Sequence, residues 1–516
     1  MRLLVANRAE VAVRIMRTAA DLDIETVAVF SEDDRDALHT RVAAAKVALP
    51  GRGPAAYLDG ARVIDAAHAL HCDAIHPGYG LLSEDAAFAA AVEKAGLCFV
   101  GPRSSTLAEW GDKHRALARA ESLQVPVLPR TGLLDDVAPA AGLMAEFGSV
   151  VLKAVAGGGG RGLRIVEDVA ELATALIACR EEARRSFASD AVYAERYLRP
   201  ARHIEVQVLG DGATVRSLGT RDCSLQRRRQ KVVEVAPAIL PAPVLHSMES
   251  AAVRMAEQEG FLGLGTFEFL VSPSHDLYFI ECNPRLQVEH TVTEAVTGLD
   301  LVALQLYIAQ GATLEQLGLS TPPSARGWAM QLRIYAESYD EQGRIQPAGG
   351  ELREFSEPSG PGVRVDSAVV LGQSINPRFD SLLAKLIVHA PDASSGLRRA
   401  RRALREFHID GLATNQGYLN ALLARPEIED WTVFTDLIDG LPLVASKRTD
   451  QRAAHAAVPD ERGTLQAPLR AEVVAVGAVS GQAVEAGAEL VVLEAMKMHH
   501  VVAAPTALTV DEVLVS

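Results

Sequence analysis

Short apolar runs alternate with amphipathic stretches of helical period through the first hundred or so residues. RLLVAN (2–7) reads as a strand, RAEVAVRIMRTAADL (8–22) as a helix and TVAVF (26–30) as a second strand. Strand, helix and strand in that order make a parallel βαβ unit, and DAIHPGY (73–79) and LCFVGP (97–102) continue the pattern. Residues 1–112 are therefore expected to form a doubly wound α/β domain, whose ligands sit beyond the carboxyl ends of the strands. His76-Pro77-Gly78-Tyr79-Gly80 occupies one such end, with a plain turn as the competing reading.

The texture then changes. SVVLKAVAGGGGRGLRIV (149–166) is a strand, a glycine-rich loop and a strand; VYAERYL (192–198) is a connecting strand, and HIEVQVLG (203–210) opens a new sheet. GTFEFLV (265–271) and LYFIECN (277–283) are joined by the turn cluster SPSHD, which predicts an antiparallel hairpin with Val271 beside Leu277. An amphipathic helix near 294–310 suits core packing. WAMQLRIYAES (328–338) alternates as a strand, and FDSLLAKLIVHA (379–390) and GLATNQGYLNALL (411–423) complete a mixed α+β region. Residues 441–464 lose periodicity and read as a linker. The last unit, 465–516, consists of short alternating strands, with Lys497 of EAMKM expected at an exposed hairpin tip. A lysine there is usually solubilising; the flanking Met496 and Met498 point instead to recognition by another protein.

The densest chemistry lies at 277–290. If extended geometry persists beyond LYFI, Glu281, Asn283, Arg285, Gln287 and Glu289 share one face. The hairpin brings Glu268 within about one residue of Glu281. Two like charges so close call for a cation between them, and two carboxylates with an amide oxygen suit Mg²⁺ or Mn²⁺. The competing reading, a solvated polar face, fits poorly with the apolar residues around both carboxylates. Four consecutive glycines let backbone N–H groups approach a polyphosphate, with Lys153 and Arg161 supplying charge and the loop acting as a lid. The loop matches neither a Walker motif nor a dinucleotide fingerprint. Arg227, Arg228, Arg229 and Lys231 form a basic run, either a solvated face or an anion site near the metal.

Composition narrows the class. The chain has 516 residues, 48% hydrophobic and 23% charged, enough for two to four folded domains. A net charge of -15 and a pI near 5.5 disfavour nucleic acid and anionic membrane as partners. No apolar run approaches a membrane span, and charges interrupt the N-terminus where an export signal would be apolar. Cys72, Cys98, Cys179, Cys223 and Cys282 are scattered and odd in number, as expected of reduced thiols in the cytoplasm.

Taken together, ANRAE (6–10), HPGYGLLSE (76–84), GDK (111–113), KAVAGGGGRG (153–162), RDCSLQRRRQKVVE (221–234), GTFEFL (265–270) and ECNPRLQVEHTVTE (281–294) resemble the biotin carboxylases. These are the ATP-grasp component of the biotin-dependent acyl-CoA carboxylases. EAMKM (494–498) separately resembles the biotinylation tip of a carrier domain. The resemblance implies an N-terminal domain at 1–112, an ATP-grasp domain at 113–310 with a lid at about 127–201, and a C-terminal domain at 311–440. An all-β biotinyl domain follows at 465–516, ending where such a domain usually runs on.

It also implies a two-step reaction: ATP phosphorylates bicarbonate to carboxyphosphate, and the carboxyl group passes to biotin carried on Lys497. Lys113, Lys153, Gly158, Gly159, Gly160, Arg161, Gly162, Glu195, Leu198, His203 and Gln226 match nucleotide-site positions. Glu268, Glu281 and Asn283 match the site of one or two Mg²⁺ or Mn²⁺ ions. Lys231, Arg285, Gln287 and Val288 match the bicarbonate pocket. Glu289 matches the general base, a role expected to need a raised pKa. Arg333 matches the residue that stabilises the biotin enolate. The implied partners are a carboxyltransferase, a biotin protein ligase and a second copy or larger complex.

Several positions depart from the family pattern. Arg229 stands where histidine is common, Ala9 where glycine is, and Gln331 where glutamate is; Val155 and Ala156 shorten the glycine run. The carrier turns APLRAE (467–472) and APTALT (504–509) lack the glycine expected at positive φ. These departures leave open a nucleotide-binding paralogue acting as a scaffold. An ATP-grasp ligase joining another carboxylate to an amine is disfavoured by EAMKM and by Glu289.

Overall fold

The computed structural model describes residues 1–155, 162–187, 189–227, 230–339, 345–438, 464–465, 467, 471–495 and 498–515. β1 (Arg2–Val5), β2 (Glu25–Phe30), β3 (Ala45–Ala48), β4 (Ala74–His76) and β5 (Cys98–Phe99) form one parallel sheet in the order β3-β2-β1-β4-β5. Leu3, Leu4 and Val5 are all fully buried because both faces of the sheet are covered, which is why β1 reads as a continuous apolar run. The strand order reverses at β1, where Asn7 Nδ2 donates to Pro77 O at 2.6 Å and to Tyr79 O at 2.9 Å. Gly78 (φ +68°) permits this approach, since a Cβ there would lie 2.8 Å from Asn7 Nδ2. The HPGYG loop thus seals the carboxyl end of β4.

β6 (Arg130–Leu133), β7 (Val150–Ala154), β8 (Leu163–Val166) and β9 (Val192–Arg196) form a separate four-stranded sheet in the order β6-β9-β7-β8. It has its own small core around Leu152, Leu176 and Ala194. β7 and β8 pair antiparallel, Lys153 beside Leu163, so the glycine-rich segment joins two paired strands.

The central sheet has eight strands in the order β14-β13-β10-β11-β12-β15-β20-β19. These are β10 (Arg202–Asp211), β11 (Val215–Arg227), β12 (Gln230–Ala236), β13 (Leu262–Val271), β14 (Leu277–Asn283), β15 (Trp328–Tyr335), β19 (Val363–Ser367) and β20 (Leu382–Ala390); β16 (Glu337–Tyr339) pairs with β17 (Ile345–Pro347) and β18 (Glu354–Ser356) with β21 (His408–Asp410) in two small ladders. β12 joins β15 with Val233 beside Leu332, so one sheet carries strands from both sides of residue 310. β15 alternates in sequence yet is buried at every position, because helix Ala393–Glu406 covers one face and helix His290–Thr297 the other.

Two expectations are corrected. Extended geometry stops at Asn283, and a turn leads into helix His290–Thr297. The single helix near 294–310 is two helices, His290–Thr297 and Leu301–Ala309, bent by 95° after Gly298 in the left-handed region (φ +72°). Asp300 starts the second by accepting from Ala303 N at 2.8 Å. Among the described residues no single helix is long and apolar enough to cross a membrane.

At the C-terminus β22 (Glu472–Val476), β24 (Glu489–Ala495) and β25 (Met498–Ala503) form a three-stranded sheet, and β23 (Ala483–Val484) pairs with β26 (Leu508–Thr509). Ala495 pairs with Met498 across the hairpin. No residue from 504 to 509 has a positive φ, so the turn dispenses with the glycine expected there. Residues 441–463 of the expected linker lie outside the described residues.

Candidate active site

One row of charged side chains crosses the central sheet. Arg221 on β11 faces Glu205 on β10, Glu205 faces Glu268 on β13, and Glu268 faces Glu281 on β14. Directly opposed residues share a face, so three carboxylates stand side by side, with Glu205 fully buried and Glu268 3% exposed. The hairpin therefore does better than expected: Glu268 stands directly across from Glu281.

Cations hold the row together. Arg221 Nε donates to Glu205 at 2.8 Å. Lys231 Nζ contacts Glu205 and lies 3.2 Å from Glu268 and 2.7 Å from Glu289. His203 Nε2 is 2.6 Å from Glu268, and Lys113 Nζ 2.5 Å from Glu281. Burial alone would raise every carboxyl here; Lys231 and His203 outweigh it at Glu268, and Lys113 at Glu281, so both lie below the usual carboxylate range. At Glu205 burial wins and the pKa is raised.

Two adjacent carboxylates of hard oxygen are the donor set a divalent cation takes, and Glu268 and Glu281 fit it. Asn283 is turned otherwise than expected. Its Nδ2 donates to Glu268 at 2.8 Å while its Oδ1 accepts from Arg285 at 3.0 Å. Its amide would have to turn over to offer oxygen to an ion.

Arg285, Gln287 and Glu289 converge on this row although they are not extended, whereas Leu286 packs in the core and Val288 turns its carbonyl to Lys385. Arg285 donates to Gln287 Oε1 at 2.9 Å and lies 3.1 Å from Glu84; Gln287 donates to Glu268 at 3.1 Å. Glu289, 1% exposed, is gripped by Lys231 on one oxygen and by Arg333 Nη2 at 2.9 Å on the other. Arg333 also binds Glu234, which Gln331 bonds at 2.9 Å. Burial would raise Glu289, but Lys231, Arg333 and Arg221 hold it well below the usual range. The expected raised pKa is thus overturned: its two cations stabilise the ionised form.

On the lid side Lys153 pairs with Glu195, and Leu198 packs with Leu128 and Ala201. Gln226 contacts the His203 ring and donates to Cys223 O at 2.9 Å. Gly162 N donates to Glu182 at 2.9 Å. Gly158, Gly159, Gly160, Arg161, Arg228, Arg229 and Lys497 lie outside the described residues. Arg227 is no anion ligand: its guanidinium binds both oxygens of Glu337, at 2.6 and 2.7 Å, and Tyr339 Oη at 2.7 Å.

Sequence reasoning missed Glu205, Arg221 and Glu234. The signal was present in HIEVQVLG, where His203, Glu205 and Gln207 alternate with apolar residues on a strand that is buried from His203 to Gly210.

The eight-stranded sheet with its buried carboxylate row and the separate four-stranded sheet fit the ATP-grasp fold. The comparisons place the chain more closely. It matches the models Biotin carboxylase, N-terminal domain at 1–107, Carbamoyl-phosphate synthase L chain, ATP binding domain at 112–317, Biotin carboxylase C-terminal domain at 331–440 and Biotin-requiring enzyme at 463–516. It is 41% identical to biotin carboxylase 1 of Bacillus subtilis over 80% of this chain and 92% of that one. It is 37% identical to the biotin-dependent acyl-coenzyme A carboxylase alpha3 subunit of Mycobacterium leprae over 98% and 94%. Pyruvate carboxylase of Aspergillus terreus is 43% identical over 87% of this chain, which spans only 39% of that protein's length. Among solved structures, the biotin carboxylase domain of Hydrogenobacter thermophilus 2-oxoglutarate carboxylase, in complex with MgADP, ADP and bicarbonate, is 37% identical with a TM-score of 0.81 over 85% of this chain and 97% of that one. A single-chain long-chain acyl-CoA carboxylase is 41% identical with a TM-score of 0.76, covering 100% of this chain and 49% of that one. The chain belongs to the biotin carboxylase family, ATP-dependent ligases that work within biotin-dependent carboxylases.

Proposed function

We propose that this chain carboxylates biotin, carried on its own Lys497, at the expense of ATP and bicarbonate, and serves a separate carboxyltransferase acting on an acyl-CoA. The observation that carries the reading is Glu289 gripped between Lys231 and Arg333 beside the Glu268–Glu281 pair. Glu268 and Glu281 would hold a divalent cation, with Asn283 as a third ligand once its amide turns; the ion supplies charge neutralisation on the transferred phosphoryl group. Lys113, Lys153 and His203 line the nucleotide side. Bicarbonate enters where Arg285 and Lys231 concentrate positive charge. As it draws those donors onto itself, Glu289 loses cationic neighbours and its basicity rises, letting the carboxylate take the bicarbonate proton. Arg333, permanently charged, then remains to stabilise an anion on biotin.

The acyl-CoA assignment is supported by the near end-to-end likeness to the M. leprae alpha3 subunit, whereas the pyruvate carboxylases match over a minority of their length. A dimer, a biotin protein ligase acting on Lys497 and cytoplasmic residence complete the proposal. The test is phosphate release from ATP with and without bicarbonate, using free biotin as acceptor. Labelled-bicarbonate transfer to a panel of acyl-CoAs, pyruvate and 2-oxoglutarate then follows, with coexpressed carboxyltransferase candidates. No bicarbonate dependence would overturn the ligase reading. Transfer to a keto acid alone would overturn the acyl-CoA assignment.

A further inference from the structure

Lys385 lies in the middle of β20 with no solvent exposure, and the proposed chemistry gives it no task. It stands directly opposite Arg333 on β15 and Asp366 on β19. Its Nζ lies 3.1 Å from Glu10 and 3.7 Å from Asp366, and donates to Val288 O at 3.3 Å. Burying an ammonium is costly unless it is paired and hydrogen-bonded, and here two acids and one carbonyl meet it.

The position of that carbonyl matters. Arg333 and Lys385 share one face of the sheet and reach the same turn: Arg333 holds the side chain of Glu289, Lys385 the backbone of the residue before it. On the other side His290 Nδ1 lies 2.7 Å from Gln287 O. Burial, with Lys385, Arg14 and Arg364 nearby, keeps that ring neutral, so its N–H donates to the carbonyl. Residues 287–290 have no strand pairing, so these bonds, with His290 N to Gln287 O and Val292 N to Glu289 O at 3.3 Å each, anchor the backbone that carries Glu289, while Lys231 and Arg333 grip its carboxylate. Glu10 extends the connection, since it accepts from the Tyr79 hydroxyl of the HPGYG loop.

We propose that Lys385 is a positioning residue: reaching from the C-terminal strands to Val288 O, it sets the aim of Glu289, and through Glu10 it ties that turn to the 76–80 loop. The proposal rests on the assignment of Glu289 as the base. A misplacement of about 1 Å at a reacting group costs up to ~100-fold in rate.

The test uses the full chain and three variants. Lys385→Met removes the donor. Lys385→Met/Glu10→Gln removes the donor together with its nearest acid, keeping the buried charge balanced so that the protein folds. The expected result is at least a tenfold fall in kcat for bicarbonate-dependent ATP cleavage in the double variant, with the KM for ATP within about twofold of the parent. Lys385→Arg, which keeps a donor and the charge, should recover part of kcat. A folded double variant with the parent's kcat overturns the proposal, as does a KM for ATP that rises in step with the loss. A parent chain without bicarbonate-dependent cleavage would instead overturn the function on which the proposal stands.

Discussion

Glu205 and Glu268 face each other on adjacent antiparallel strands, both buried, with the Lys231 ammonium touching both. Like charges directly opposed across a ladder destabilise it unless something intervenes, and Lys231 is what intervenes. Removing one partner of a buried ionic group leaves the rest uncompensated, at a cost of about 3–5 kcal/mol. Lys231→Gln should therefore lose stability of that order near neutral pH. Without the ammonium the carboxyl pKa values rise, so the native state binds more protons than the unfolded chain and the deficit shrinks on acidification. Urea unfolding at about pH 8 and about pH 5.5 checks this; an equal deficit at both would show that the lysine is not balancing the carboxylates.

Glu289 can be replaced without orphaning its partners, because Lys231 keeps Glu205 and Glu268 and Arg333 keeps Glu234. Glu289→Gln should leave nucleotide affinity within about twofold while bicarbonate-dependent phosphate release falls by at least ~100-fold. Since its folded pKa lies well below the ordinary 4.5, Glu289 stays ionised above that pH. No acid limb from Glu289 should appear near neutrality in the pH profile before bicarbonate binds. Phosphate release across a pH series decides both points, and a variant as fast as the parent would remove Glu289 from the mechanism.

The Glu268–Glu281 pair was legible because a short turn fixes hairpin register, and SPSHD announces that turn in sequence. Glu205 was not, since its place beside Glu268 depends on pairing between strands about sixty residues apart. The basic run shows a different failure. Read as a line, Arg227 and Lys231 are one cluster. In the β11–β12 ladder Gln226 pairs with Lys231 and Arg227 with Gln230, so the two cations fall on opposite faces. One meets the carboxylate row and the other Glu337. Lys385 offered no signal at all, because a lysine inside FDSLLAKLIVHA reads as the polar tick of an alternating strand.

His39 is fully buried, its Nε2 3.2 Å from Val29 O, and burial pushes its pKa down to about 4 against the nearby Asp34. The unfolded chain takes up its proton near 6.5. Between those values the unfolded state binds more protons, so stability is whole above about pH 6.5 and declines as pH falls toward 4, by about 3 kcal/mol at the limit. His76, lowered to about 3 and equally buried, adds in the same direction. His39→Gln should flatten this acid decline by ~2 kcal/mol in unfolding measured from pH 7 to pH 4.5. An unchanged slope would assign the decline to other groups.

Ala9 opens the first helix with φ +55°, a left-handed conformation costing an L residue about 1–2 kcal/mol. The turn is held from both sides: Arg8 binds Asp34 and lies 3.6 Å over the Phe379 ring, and Glu10 is buried against Lys385. Neither neighbour lets the backbone relax, so the strain stays at Ala9. Glycine adopts this conformation freely but gives up more freedom on folding, by about 0.5–1 kcal/mol. Ala9→Gly should therefore stabilise the chain by ~0.5–1 kcal/mol in urea unfolding, with kcat for bicarbonate-dependent ATP cleavage unchanged. Ala9→Val, adding a β-branch to the same left-handed residue, should shift stability the other way. If glycine destabilised and valine did not, the left-handed turn before Glu10 would not be the conformation the protein holds in solution.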